Sequence, residues 1–455
     1  MSTPAAIDLP EQSLKLAPAP AAEDASSRRA TMAVARRLEV SSLAFWITAI
    51  ALLFGGTVLR FHSSASMKGV GFDEILYRVY VQVMDVRGVM NYDDATQAYL
   101  AGQSRPNAKA ELPPTRFLYI FSGYLWKRAA YGDAAPVDLK KAGAIDRDPA
   151  LCSLRRVSAL FSVLLMAAAG AAAWRIAGRA AGLGVLALMA CAPLQIHMSQ
   201  HAMIDGFLAF WATMSLWSLW ENLRQPGNAR WLFVYSASLV CLVLTKENAF
   251  FVFCALAGLL ALNRWTKWGK LTRPLLLATF LAPLGGVVIL VTLAGGVSNF
   301  VNVYRLLVAN AQHLDYAIQT GDGPWYRYLI DLMVLTPVVL CLALAAAFRN
   351  WRESNWTPYV VGFVAISYAI MCNVRYGMNL RYATIWDFPL CLLAFSQIVS
   401  FSQAAKQWGR QIVIALVALL CVQELSQYHT FFVREGLYEL GPYDLLHAVK
   451  ILKDV

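Results

Sequence analysis

Residues 42–60 read SLAFWITAIALLFGGTVLR, and after a short gap residues 72–77 read FDEILY. The first stretch is apolar over the length that a bilayer-spanning helix needs, about 20 residues. The second sets two carboxylates, Asp73 and Glu74, just beyond the point where the chain leaves hydrocarbon. A membrane helix followed at once by an acidic pair fixes the frame for the rest of the chain.

Working outward, comparable apolar windows recur at 155–173, 181–198, 205–222, 231–245, 248–263, 274–296, 326–348, 357–373, 383–401 and 410–426, which predicts about eleven spans. All should be helical, because unpaired backbone in lipid costs several kcal/mol and a helix satisfies it within the segment. The expected fold class is an all-α polytopic membrane protein. Composition agrees: the chain is 58% hydrophobic and 15% charged with a mean hydropathy of +0.50, against about 25% charged in a soluble domain. The net charge of +11 sits in short clusters between apolar runs, where membrane topology explains it and nucleic-acid binding does not. The eight cysteines form no CxxC pair and indicate neither a zinc site nor a disulfide framework.

Three domains are expected: a disordered cytoplasmic tail over 1–40, a transmembrane domain over 41–426, and a short extracytoplasmic tail over 427–455. The N-terminal 40 residues carry no cleavable signal pattern. Orientation follows from basic residues in short loops. Arg28, Arg29, Arg36 and Arg37 precede the first span; Arg175 with Arg179, Arg224 with Arg230, the cluster from Arg264 to Arg273, Arg349 with Arg352, and Lys406 with Arg410 fall in alternate loops. These loops would be cytoplasmic. The long segment 61–154 then faces outward, where its own basic residues are exempt from the charge rule. Within it, Ile75, Leu76, Val79, Tyr80, Val83 and Met84 fall at helical spacing, predicting a surface helix from Asp73 to Met90. A second helix is expected from Thr115 to Arg128, after Pro113-Pro114. No internal repeat is visible.

On the outward side the ionisable residues are few: Asp73 and Glu74, Asp205 at the start of the fourth span, Lys246 between the fifth and sixth, and Arg375 and Arg381 flanking the tenth. Each singly has an ordinary reading as a helix-start charge or a snorkelling cation. Charges close to hydrocarbon are costly, however, and four on one membrane face are better read as a site or pathway. A carboxylate there could accept the proton of an attacking hydroxyl. A lysine or arginine could neutralise charge building on a phosphate leaving group. Such a set suits group transfer from an anionic lipid carrier. A transporter or flippase for a lipid-linked or anionic substrate is the alternative, disfavoured by the missing repeat and by charges at helix ends instead of the midplane. A third reading is an assembly subunit without chemistry. His197 and His201, four apart, could share a helix face as metal ligands, but the expected turn after Ser199 separates them and further ligands are lacking.

Phe72-Asp73-Glu74-Ile75-Leu76-Tyr77 resembles the Asp-Glu-x-x-Tyr signature of GT-C glycosyltransferases related to the dolichyl-phosphate-mannose-protein mannosyltransferases and the aminoarabinose lipid A transferases. Further segments agree in order: Pro113-Pro114-Thr115-Arg116-Phe117-Leu118-Tyr119, Arg156-Val157-Ser158-Ala159-Leu160-Phe161, Ala192 to Ser199 continuing to Asp205, Thr245-Lys246, Gly323-Pro324-Trp325-Tyr326-Arg327-Tyr328, and Arg381-Tyr382 with Pro389. The resemblance covers roughly residues 45–400 and rests on the ordered set, since no one motif is specific.

The resemblance implies an inverting transfer from a polyprenyl-phosphate sugar to an acceptor hydroxyl of a glycan, lipid or protein on the periplasmic face of a bacterial inner membrane. Asp73 would be the general base or acceptor-orienting carboxylate, Glu74 would support the same pocket and Asp205 would be the second acid. Lys246, Arg381 and Arg375 would hold the donor phosphate, while Tyr77, Arg116 and Tyr382 would line the cavity. No cofactor is named, and a divalent cation stays open because relatives differ in needing one. Two departures stand out. The loop at Gly321-Asp322-Gly323 lacks the histidine often found in relatives, the nearest being His313, and from the short polar tail after 427 the large outward domain of some relatives is not expected.

Overall fold

The computed structural model describes residues 40–62, 70–105, 111–139, 145–311, 318, 321–351, 354–375 and 378–451. The N-terminal tail to residue 39, His313 and Arg352 lie outside the described residues. The described chain is helical throughout, with no strand among the described residues. In order the helices are α1 (Ser42–Phe61), α2 (Phe72–Arg87), α3 (Asp93–Gln103), α4 (Phe117–Tyr131), α5 (Pro149–Ala177), α6 (Arg179–Cys191), α7 (Pro193–Gln200), α8 (Asp205–Arg224) and α9 (Ala229–Thr245). They continue as α10 (Ala249–Thr266), α11 (Arg273–Leu293), α12 (Val297–Ala311), α13 (Arg327–Leu335), α14 (Pro337–Arg349), α15 (Trp356–Met371), α16 (Asp387–Ser402), α17 (Gly409–Tyr428) and α18 (Pro442–Ala448).

Each apolar window read from the sequence falls on a helix or a helix pair. Among the described residues six helices are long and apolar enough to cross a membrane, and seven if the bent pair α6–α7 counts as one span. The expected number of about eleven is not reached by this measure, because α9, α14 and α15 are apolar but shorter, while α8, though 20 residues long, carries Asp205, Glu221, Asn222 and Arg224. The chain is an integral membrane protein.

Two local features shape the bundle around the site. The α6–α7 pair bends by 54° where Pro193 follows Ala192, a residue that cannot donate into the preceding turn. The bend leaves carbonyls at the end of α6 without helical partners. Buried Arg60 satisfies them: Nη2 donates to the Met189 carbonyl at 2.7 Å and Nη1 to the Ala190 carbonyl at 3.1 Å. Its Nε donates to Ser162 Oγ at 2.8 Å, so one guanidinium ties α1, α5 and α6 together.

The segment between α1 and α5 forms the expected surface helices, observed as Phe72–Arg87 and Phe117–Tyr131. Their buried faces, Tyr77, Val81 and Met84 on one and Tyr119 and Ile120 on the other, share a core with Leu151 and Leu154 of α5 and Phe207 of α8. Ile75, Val79 and Val86 stay exposed on the other side of α2. The amphipathic pattern therefore seats α2 on protein. A capping Asp148, accepting from Leu151 N at 2.9 Å, starts α5, and its other oxygen meets Arg78 of α2 at 2.8 Å. Beyond α17 the chain continues through a wide turn, His429–Arg434, and α18 packs near α13.

Candidate active site

Helix α8 runs away from Asp205, and α9 returns antiparallel to it, which carries the residue after Thr245 back to the starting end. Lys246 terminates α9 in an extended conformation, and its Nζ meets Asp205 Oδ1 at 2.6 Å. Both side chains are 1% exposed. Asp205 sits in the first turn of α8, where the helix dipole favours a carboxylate. The turn Leu380–Trp386 before α16 supplies the third member. Asn379 Oδ1 accepts from Arg381 N at 3.1 Å, and Thr384 Oγ1 donates to the Asp205 carbonyl at 3.3 Å, fixing the turn against α8.

From this turn Arg381 reaches both acids. Its Nη1 donates to Asp73 Oδ2 at 2.7 Å, and its Nε lies 3.9 Å from Asp205 Oδ2. The Tyr382 ring faces Lys246 Nζ at 4.1 Å and the Arg381 guanidinium at 5.5 Å, both within cation–π range. Asp205 Oδ2 has no hydrogen-bond partner among the described residues. Two carboxylates, two cations and one ring from four separate elements thus form a single polar cluster.

Glu74, next to Asp73, turns the other way into protein and is fully buried. Its oxygens accept from Arg155 Nε at 2.9 Å and Nη2 at 3.0 Å, from Ala202 N at 2.6 Å and from Gly71 N at 3.0 Å. His201 Nδ1 lies 3.7 Å away. Burial alone would raise its pKa, but His201 and the Arg155 fork outweigh it and hold the carboxyl well below the usual range. Glu74 therefore anchors the start of α2 to α5 and to the turn before α8. Both of its carboxylate oxygens accept hydrogen bonds from protein donors.

Arg116, at the start of α4, forms a second buried node. Nη1 donates to the Tyr77 hydroxyl at 2.6 Å, Nε donates to Glu247 Oε2 at 3.2 Å, and Nη2 bonds Glu247 Oε1. Burial works against Glu247's charge, yet Arg116 lowers its pKa. Burial pushes the Tyr77 phenol up, so it stays neutral. The neighbours Lys246 and Glu247 thus diverge, one to Asp205 and the other to Arg116.

Arg375, by contrast, is exposed and faces Asp322 at 4.0 Å. His197 lies in α7 and His201 just past its end, with ring centroids 4.9 Å apart; His197 stacks on Phe432 at 4.0 Å. Among the described residues no three His, Cys, Asp or Glu side chains gather to hold a metal ion. The C-terminal segment returns to this face: the Tyr438 carbonyl is 3.1 Å from His197 Nε2, its ring meets His201 edge-on at 4.7 Å, and its hydroxyl lies 3.9 Å from Met203 Sδ.

With this geometry in place, the comparison that decides the family is one of sequence. Residues 70–302 match the dolichyl-phosphate-mannose-protein mannosyltransferase family. The chain belongs to that family. It is accordingly a membrane glycosyltransferase of GT-C type. The matched segment contains Asp73, Glu74, Arg116, Asp205, Lys246 and Glu247, so most of the cluster lies inside it, while Arg381 lies beyond. Comparison with curated protein sequences gives no significant match.

Solved structures agree on the fold of this family member. ArnT from Cupriavidus metallidurans in the apo state is similar over 90% of this chain and 75% of its own, at 14% identity and a TM-score of 0.50. The Archaeoglobus fulgidus oligosaccharyltransferase in the apo form is similar over 88% of this chain and 57% of its own, at 12% identity and a TM-score of 0.56. The archaeal oligosaccharyltransferase AglB from Archaeoglobus fulgidus, in complex with an inhibitory peptide and a dolichol-phosphate, has 12% identity and a TM-score of 0.54 over 90% of this chain and 58% of that one.

Sequence reasoning in this glycosyltransferase missed Arg155, Glu247 and Tyr438 as parts of the site and took His201 only as a possible metal ligand. Glu247 carried a signal: a carboxylate directly beside a lysine at the edge of hydrocarbon needs a cation of its own. Arg155 and Tyr438 carried none, because what they meet is set by tertiary packing.

Proposed function

We propose that the protein transfers a sugar from a polyprenyl-phosphate donor to an acceptor hydroxyl, with inversion at the anomeric carbon. The observation that supports this most directly is the Arg381 bridge between Asp73 and the Asp205–Lys246 pair. It sets a partly exposed carboxylate beside two cations at one end of the bundle. In this reading Asp73 takes the proton of the acceptor hydroxyl as its oxygen attacks the anomeric carbon. The bond to the carrier oxygen breaks, and the negative charge on the departing phosphate is met by Lys246 and Arg381. Both cations are paired before the donor arrives, so its phosphate displaces or shares carboxylate partners already in place. Asp205 holds Lys246 in position, Tyr382 lies against both cations, and Arg116 with Tyr77 shapes the adjoining wall. Arg375, exposed and facing Asp322, has no place in this phosphate site.

A lipid-borne donor fits a cluster at the ends of membrane helices, and the dolichol-phosphate bound by archaeal AglB is such a carrier. We place the site on the periplasmic face of a bacterial inner membrane, with the N-terminus cytoplasmic, on the strength of the basic loops. The acceptor is a hydroxyl of a glycan, lipid or protein. The test is transfer in detergent, where no sealed bilayer exists: purified protein given candidate polyprenyl-phosphate sugars should release polyprenyl phosphate in the presence of acceptor. Activity that appears only as movement across sealed vesicles would favour a transporter and overturn the proposal.

A further inference from the structure

At the far end of α5, α8 and α9 the same helices frame a second cleft. The 20 residues of α8 place it about 30 Å from Asp205, at 1.5 Å per residue. Its main cavity, about 560 Å³, is lined by Trp174 and Arg175 of α5, Trp217 of α8, and Arg230, Trp231 and Val234 of α9. It adjoins a polar recess of about 300 Å³ lined by Arg175, Glu221, Arg224 and Gln225.

The rim is held by a chain of hydrogen bonds. Glu221 accepts from Arg175 Nε and Nη2 at 2.9 Å each, from Trp217 Nε1 at 3.2 Å and from Gln225 Nε2 at 2.9 Å. Asn228 donates to Gln225 Oε1 at 3.2 Å, and its own Oδ1 caps α9 at Arg230 N, 3.1 Å. Glu221 balances Arg175. No ion pair with an acid is found for Arg224 or Arg230 among the described residues; Arg224 lies over the Trp220 ring at 5.5 Å. The cleft therefore carries net positive charge. Its walls are indole, Val234 and Ala171. None of these residues belongs to the Asp73 cluster.

We propose that this cleft binds the headgroup of an anionic phospholipid on the membrane face opposite the catalytic cluster. Arg230 would bond the phosphodiester, with Arg224 adding charge, and one acyl chain would run past Trp231 along Val234. The charge argues for this occupant: two uncompensated guanidiniums at a membrane boundary match an anionic headgroup. Tryptophans flanking an apolar exit suit a ligand with both a headgroup and a chain.

The test uses the delipidated full-length protein in dodecylmaltoside, read by thermal unfolding and by native mass spectrometry. Dioleoylphosphatidylglycerol, dioleoylphosphatidylcholine and inorganic phosphate are added in separate arms. Phosphatidylglycerol should raise the melting temperature and remain bound, and phosphatidylcholine should do neither. Arg230→Gln, a substitution at an exposed position, should weaken phosphatidylglycerol retention about fivefold, the effect of one surface cation on an anionic membrane lipid. Trp231→Ala should weaken it also. Equal retention of both lipids, an equal shift from inorganic phosphate alone, or unchanged retention in Arg230→Gln would each overturn the proposal.

Discussion

Arg381 donates to Asp73 at 2.7 Å across 308 positions of sequence, and that bond joins the surface helix after the first span to the turn before α16. Because the same guanidinium approaches Asp205, the two acids are held in one electrostatic unit. The four charged residues of this unit have different tasks in the proposed reaction, and substitutions separate them.

Asp73→Asn keeps the shape of the side chain and can still accept from Arg381, but it cannot take a proton. Transfer from a polyprenyl-phosphate sugar should fall by about 10² or more, the scale of a lost general base, while the melting temperature stays close to that of the wild type. Release of polyprenyl phosphate by purified enzyme reports the rate. Near wild-type turnover in a correctly folded Asp73→Asn protein would remove Asp73 from the chemistry.

Lys246 needs a more careful experiment, because Lys246→Ala takes the close partner from buried Asp205 and leaves it only Arg381, 3.9 Å from its other oxygen. Removing one partner of such a pair costs about 3–5 kcal/mol, so the single variant should unfold at lower temperature as well as use donor poorly. The double variant Asp205→Asn/Lys246→Gln replaces the ion pair by a neutral hydrogen bond and should regain much of the stability. Its KM for donor should stay raised. Recovery of both stability and donor KM would show that Lys246 serves the fold alone.

The membrane class and the helical frame were legible because apolar windows of spanning length are a strong signal, and the acids and cations at one membrane face stood out against so little charge. Asp73, Asp205, Lys246 and Arg381 are therefore readable from their charge, Tyr382 follows only from the family resemblance, and the fold brings the five together. Arg375 was named by the same logic and faces Asp322 instead: closeness in sequence to Arg381 did not translate into closeness to Asp73. The resemblance ranks Asp73 above Glu74, but only the direction of each side chain from α2 shows one acid buried among protein donors and the other partly exposed. Tyr438 was illegible because a tail's return path depends on the surface it meets.

Glu74 gives a prediction in pH. Its folded pKa is depressed by His201 and Arg155, so the ionised form is stabilised by folding. That stability is present above the unfolded value, about 4.3, and is lost as pH falls from there toward the folded pKa. Glu74→Gln should lower the melting temperature at pH 7 and lose part of the decline seen in the wild type on acidification below that value. Parallel melting curves of the two proteins against pH, equally steep in acid, would show that Glu74 does not carry this linkage.

Gly71 tests the return of the C-terminal segment. Its backbone, at φ −69° and ψ 155°, is one that alanine adopts freely, so any cost of Gly71→Ala arises from what the added methyl meets. A Cβ there would lie 1.7 Å from the Tyr438 hydroxyl oxygen, and the tyrosine has to leave its place against Met203 and His201. Overpacking of this kind costs about 1–3 kcal/mol, and the displaced segment should be cut faster by protease between Gly436 and Gly441. Tyr438→Ala removes the obstructing ring. Adding Gly71→Ala to it should therefore cost little, whereas the same change in the wild type costs the full amount. A Gly71→Ala protein as stable and as protease-resistant as the wild type would mean that Tyr438 does not occupy this position in the folded enzyme.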